Sequence, residues 1–202
     1  MGVYSVKSRF QKSLAPIETT LVRRGVHPDY ITISALVLSI GGGAAFYLSD
    51  WSRWLLLVIP LVAIGRTALN ALDGLVATRT GLARPWGEVL NEFADRLADV
   101  ALFAGLALAP GVSFRLAVAT MVLMLLSSYL GTVAKAAGGR REYGGIMGKA
   151  DRMLLMAAFA VAATSLSDYP VLNAYLWVVL GGLVVTLLQR GRKIHADLQS
   201  VR

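Results

Sequence analysis

The chain has 202 residues, 56% of them hydrophobic, a mean hydropathy of +0.61 and a formal net charge of +8, far more apolar than a soluble domain, where such residues with glycine make up about 45–50%. It has no cysteine and only two histidines, His27 and His195, which excludes disulfides, thiolate metal sites, cysteine nucleophiles and a two-histidine zinc motif. In so apolar a chain, the positive charge reads as cytoplasmic loops and anionic headgroups, not as a nucleic-acid surface.

Residues 1–26 contain neither a continuous apolar core nor a small-residue cleavage site, so no signal peptide is expected there. They are expected to form an amphipathic juxtamembrane helix along the membrane surface, basic residues toward the headgroups; a disordered basic tail is the alternative. Residues 27–202 are expected to form a single transmembrane domain. A span needs about 20 apolar residues, and the stretches that qualify are roughly 31–49, 54–77, 87–109, 112–134, 151–167 and 170–189. The second and third are interrupted by polar residues, and the fifth is short. Lys7, Arg9, Lys12, Arg23 and Arg24 precede the first span, and Arg79 and Arg84 join the second to the third. Lys135, Arg140, Arg141, Lys149 and Arg152 join the fourth to the fifth, and Arg190, Arg192, Lys193 and Arg202 follow the last. The opposite loops hold only Arg53 and Arg115. The bias puts both termini in the cytoplasm. The expected fold is therefore an all-α integral membrane protein of six transmembrane helices plus an interfacial amphipathic helix, in a bacterial-type inner membrane.

The second and third spans carry Asp73, Glu88, Glu92, Asp95 and Asp99. Asn70, Asp73, Gly74 and Ala77 fall at i, i+3, i+4 and i+7, one helix face. Gly87, Asn91, Asp95 and Asp99 recur every fourth residue on the next helix, with Glu88 on the same face and Glu92 at its edge. Gly81 and Pro85 break the connection between them, so the two helices are expected to be antiparallel neighbours with their polar faces meeting near the cytoplasmic side. Ionisable residues inside a span are costly and by default mark a functional site. Clustered carboxylates repel unless a cation joins them, and hard oxygen ligands suit magnesium, manganese or calcium. Such ions hold a diphosphate and support displacement at phosphorus. Gly74, Ala77 and Gly87 leave the face bare, so a flat ligand such as a nucleotide can approach; small residues also serve simply to pack helices. Arg66 and Asp99 each lie one turn deeper than Asn70 and Asp95, and a structural ion pair is expected between them. Intramembrane Asp and Arg also suit a transport relay, but no inverted repeat of broken helices is visible.

The string N-x2-D-G-x2-A-T, eight residues, then G-x3-N-x3-D resembles the CDP-alcohol phosphotransferase family pattern D-x2-D-G-x2-A-R-x8-G-x3-D-x3-D. Asp73, Gly74, Ala77, Gly87 and Asp95 match with the spacing kept, while Asn70, Thr78 and Asn91 depart from it. "GVHPDYITI" at 25–33 and "MGKADR" at 147–152 resemble further family stretches. The resemblance implies transfer of a phosphatidyl or similar phospho-alcohol group from CDP-diacylglycerol or another CDP-alcohol to a hydroxyl acceptor, with release of CMP. It implies metal ligation by Asn70, Asp73, Asn91 and Asp95, with Asp95 also the base. It further implies nucleotide binding at Asn70, Gly74, Ala77, Thr78 and Gly87, and a homodimer, for which Gly181 and Gly182 offer small residues. Lys135, Arg140, Arg141, Lys149 and Arg152 are candidates for a phosphorylated acceptor or lipid phosphate; the other reading of each is ordinary cytoplasmic charge. The two asparagines remove two negative charges, so one or two ions, Mg²⁺ or Mn²⁺, are expected, with Glu88 or Glu92 as a substitute carboxylate. A catalytically degenerate relative that binds a nucleotide-lipid or a partner is the alternative.

Overall fold

The structure is a computed structural model that describes residues 10, 12–166 and 170–200. Residues 1–9 and 11 of the expected interfacial segment, with Lys7 and Arg9, and the terminal Arg202 lie outside the described residues. The described residues form helices α1 (Ala15–Arg23), α2 (Pro28–Tyr47), α3 (Val58–Thr80), α4 (Pro85–Ala107), α5 (Phe114–Ala136), α6 (Lys149–Ser165) and α7 (Val171–Ser200). Short 3-10 turns at Leu48–Asp50 and Arg53–Leu57 join α2 to α3, and no strand occurs among the described residues.

Among the described residues, four helical stretches are long and apolar enough to cross a membrane: Pro28–Asp50, Arg53–Thr80, Phe114–Ala136 and Val171–Gln199. Their outward side chains, among them Val37, Leu61, Ile64, Trp177 and Leu188, are exposed, as expected where lipid is the solvent. The two other expected spans correspond to α4 and α6. The first turns of α4 hold Glu88, Glu92, Asp95, Arg96 and Asp99, and α6 has only 17 residues. Composition removes α4 from the apolar class, and length removes α6.

The chain divides into two compact units, one of residues Met1–Gly41 and Ile64–Asp99, the other of Gly42–Ala63 and Val100–Arg202. The boundary falls within α2, α3 and α4.

The first unit is organised around Leu14, Ile31, Leu72 and Val76, with Phe10, Leu21, Val22 and Val26 packed against them. The apolar side of α1 is thus taken up by α2 and α3. Arg79 adds a polar tie to Glu18 (3.3 Å) and Thr19 (3.1 Å). α1 and α3 end alike. Gly25 and Gly81 adopt positive φ (66° and 69°), and the two following amides reach back to the last turn: Gly25 to Val22 and Val26 to Leu21, Gly81 to Thr78 and Leu82 to Ala77. This is the Schellman stop, which needs a residue without Cβ strain. Pro85, pre-set for helix, then starts α4 after only four connecting residues.

In the second unit, α7 packs on α5 and α6, around Phe103, Leu106, Met156, Tyr175, Leu176, Val179 and Leu183, each at most 2% exposed. A Cβ on Gly105 would collide with the backbone of Gly43, and one on Gly43 with the carbonyl of Ala101, so α2 and α4 meet there backbone to backbone. α7 is tied at two levels. Near its start, Asn173 accepts from the Ser113 amide and donates to the Gly111 carbonyl, both at 2.8 Å. Near its far end, the buried Arg190 donates to the carbonyls of Ser127, Tyr143 and Gly144.

Candidate functional site

The site lies within the first unit. α3 presents Asn70 and Asp73 one turn apart, and α4 presents Asn91 and Asp95 one turn apart. Asn91 Nδ2 donates to Asp73 Oδ2 at 2.9 Å, and Asn70 Nδ2 donates to Asp95 Oδ1 at 3.2 Å. As the number rises on one helix the partner's falls on the other, so these segments run antiparallel with their polar faces in contact. Asp73 is 3% exposed. Its Oδ2 also accepts from Thr32 Oγ1 of α2 at 3.0 Å, and its Oδ1 from the Gly74 amide at 2.6 Å.

Arg66 is wholly buried and stands one turn further from the loop. Its Nη2 lies 2.6 Å from Asp99 Oδ1, donates to the Asp95 carbonyl at 3.1 Å and lies 3.8 Å from Asp95 Oδ1. One guanidinium therefore serves both acids. Arg96 Nη2 approaches Asp95 Oδ2 at 3.8 Å and Glu92 at 3.6 Å.

Beside this quartet opens a cavity of about 520 Å³, lined on its polar side by Thr32, Asp73, Thr78, Glu88 and Asn91 and on its bare side by Gly74, Ala77 and Gly87. A Cβ added to Gly74 would meet nothing within 4 Å; one on Gly87 would meet only Arg84 Cγ, at 3.6 Å. These glycines face open space, not a neighbouring helix. The structure thus gathers Asp73, Gly74, Ala77, Thr78, Gly87, Glu88 and Asn91 at one cavity, with Asn70 and Asp95 bonded one turn beyond it. Glu92 does not line the cavity and faces Arg96 instead.

The acceptor candidates belong to the second unit. Arg141 stacks on the Tyr143 ring at 4.4 Å, the Arg140 amide donates to Asp197 at 2.8 Å, and the buried Arg152 donates to the Met147 carbonyl at 3.2 Å. Lys135 lies in the last turn of α5, and Lys149 opens α6.

The donor chemistry fits a hard divalent cation. Two carboxylates and two carboxamides supply oxygen ligands, but no group of three or more His, Cys, Asp or Glu able to hold a metal occurs among the described residues. The amide nitrogens donate to the carboxylates, Asn91 to Asp73 and Asn70 to Asp95. Sequence reasoning left out Thr32, whose signal was a hydroxyl one turn after Pro28, near the start of a mostly apolar helix. It also left out the Asp29–Arg84 pair at the cavity, 2.5 Å apart, because nothing in a sequence links positions so far separated.

The CDP-alcohol phosphatidyltransferase family matches residues 25–188. The chain is 31% identical to the inner membrane protein YnbA of Escherichia coli (strain K12) over 195 residues, 96% of both chains. It is 30% identical to the phosphatidylinositol phosphate synthase of Mycobacteroides abscessus over 197 residues, 95% of this chain and 87% of that one. Among solved structures, the phosphatidylinositol phosphate synthase PgsA1 of Mycobacterium tuberculosis in complex with manganese and citrate matches with a TM-score of 0.74 at 26% identity, covering 89% of this chain and 87% of that one. The same synthase with CDP-DAG bound matches with a TM-score of 0.71 at 27% identity, covering 89% and 92%. A motif kept in spacing on two facing helices and a match along most of the chain lead to one conclusion: the chain belongs to the CDP-alcohol phosphatidyltransferase family, membrane transferases of phospholipid biosynthesis that pass a phospho-alcohol group from a CDP-linked donor to a hydroxyl acceptor and release CMP.

Proposed function

We propose that the cavity beside Asp73 takes the cytidine diphosphate end of CDP-diacylglycerol, and that Asp95 is the base of the transfer. The observation that carries this reading is the quartet Asn70, Asp73, Asn91 and Asp95, bonded across α3 and α4 beside open space at Gly74. Asp95 accepts the proton of the acceptor hydroxyl. The hydroxyl oxygen then bonds to the phosphorus that carries the diacylglycerol, and the bond from that phosphorus to CMP breaks. Arg66 fixes the Asp95 backbone and sets the register of α4 against α3. Gly74, Ala77 and Gly87 admit the nucleotide by presenting no bulk. Thr32 and Asn91 orient the Asp73 carboxylate by donating to its Oδ2. One divalent ion, Mg²⁺ or Mn²⁺, held by Asp73 and Asp95 with amide oxygens of Asn70 and Asn91 as neutral ligands, would offset the charge of the diphosphate and of the departing CMP.

The wider reading keeps six spans, with α4 and α6 crossing in the company of their neighbours. It keeps both termini and the cavity on the cytoplasmic side, residues 1–26 as an interfacial segment, and a homodimer. Charge bias supports the orientation. A phosphorylated acceptor, met by Lys135, Arg140, Arg141, Lys149 or Arg152, fits the basic stretch before α6.

The test is CMP release by purified protein with CDP-diacylglycerol, Mn²⁺ and a panel of polyols and polyol phosphates, with bound Mn²⁺ counted by anomalous scattering. One manganese per chain and acceptor-dependent CMP is the expected result. The second reading, a nucleotide-lipid binder without turnover, is favoured by Asn70 and Asn91, which stand where the family pattern has aspartates. CDP-diacylglycerol bound without CMP release from any acceptor would establish it in place of the first.

A further inference from the structure

We infer that Arg84 is the residue that binds the phosphates of the donor, supplying the cation that this cavity otherwise lacks. The inference rests on the cavity being a CDP-lipid site. Among the described residues that line it, Asp29, Asp73 and Glu88 are acidic and Arg84 alone is cationic. A diphosphate brought beside three carboxylates needs positive charge from the protein as well as from any ion. The other basic residue of the α3–α4 hairpin, Arg79, is turned to Glu18 and Thr19 of α1 and is absent from the lining. Thr78, where the family pattern has arginine, lines the cavity with a hydroxyl that donates to the Gly74 carbonyl at 2.8 Å, so it brings no charge.

Arg84 is placed to take over. Its Nη2 is held 2.5 Å from Asp29 Oδ2, and Asp29 lines the same cavity. Its stem lies beside the first turn of α4, with Cγ 3.6 Å from where a Cβ on Gly87 would stand, an ordinary contact distance. A guanidinium has five donors in a planar fork, and Asp29 engages one of its nitrogens. The rest can form the paired bonds that arginine makes to phosphate. Asp29 is then a positioning residue that keeps Arg84 over the cavity. The four-residue connection and the Schellman stop at Gly81 fix how far from the Asp73 carboxylate the arginine stands. As a mere rim ion pair, at 47% and 24% side-chain exposure, it would contribute little to stability and nothing to ligand choice.

The experiment compares binding of cytidine, CMP and CDP to full-length protein in detergent, and the KM for CDP-diacylglycerol, across wild type, Arg84→Ala, Arg79→Ala and the double variant Arg84→Ala with Thr78→Arg. Arg84→Ala should weaken CDP by about tenfold or more, the scale of a lost charge-assisted bond, while cytidine binding and melting temperature stay as in wild type. KM for the lipid donor should rise in step. Arg79→Ala should change neither. Thr78→Arg should restore most of the loss, because it returns a cation to the same cavity from the facing helix. Equal CDP affinity in wild type and Arg84→Ala overturns the inference while leaving the cavity's function standing. Wild-type protein that binds neither CDP nor CDP-diacylglycerol overturns both.

Discussion

The two units use the same residue types for opposite ends. In the first, Gly74 and Gly87 face open space; in the second, Gly43 and Gly105 face another helix's backbone. In the first, buried or half-buried charges meet side chains as well as backbone: Arg66 meets Asp99 and Asp95 besides the Asp95 carbonyl, and Asp73 meets Asn91 and Thr32 besides the Gly74 amide. In the second, Arg190 and Arg152 answer to main-chain carbonyls. A side chain bonded to a side chain exchanges partners when a ligand arrives, whereas one bonded to the backbone fixes a loop. A glycine over a void admits substrate, and a glycine over a carbonyl admits only a helix. Residue type alone does not tell a site from a scaffold; what stands opposite does.

The comparison breaks most sharply at chemistry. Asp95→Asn keeps the bond from Asn70 and should keep the melting temperature, yet CMP release should fall by about 10²–10⁴-fold, as for loss of a general base; retained turnover would remove Asp95 from that role. Next comes Arg66→Met, which takes the cation from beside the buried Asp99. A loss of about 3–5 kcal/mol is expected for breaking a buried pair, read by thermal unfolding in detergent, and adding Asp99→Leu should recover much of it. Arg190→Met should cost about 1.5–3 kcal/mol, the scale of hydrogen bonds from a charged group, and should loosen residues 142–147 to hydrogen exchange while CDP affinity stays unchanged. The finest contrast uses one substitution at two glycines. Gly105→Ala should destabilise by about 1–3 kcal/mol through overpacking. Gly74→Ala should leave stability equal or raise it by up to about 1 kcal/mol through helix propensity, while weakening CDP binding. If both behave alike, the contrast between void and backbone is wrong.

Much of the first unit is legible in the chain itself. A period of 3.6 puts Asn70, Asp73, Gly74 and Ala77 on one face, and the Gly81 and Pro85 signals bring α4 back against it. The ion pair of Arg66 with Asp99 follows from depth counted in turns. The partner of Arg84 does not, because Asp29 lies on another helix and neither residue breaks a local pattern. The same holds for Arg190, whose acceptors are carbonyls, which every sequence has at every position. Hydropathy finds α2, α3, α5 and α7 but passes over α4, since the acids that make it interesting also make it polar.

The double tie on α7 has a mechanical consequence. Asn173 and Arg190 stand about 25 Å apart along a helix that rises about 1.5 Å per residue, close to the thickness of a bilayer's hydrocarbon layer. With one end tied to the 111–113 turn and the other to the 143–144 loop, α7 resists sliding along its own axis. A bilayer of another thickness would then be met by tilt of the whole packed unit or by the lipid, not by a shift of α7 alone.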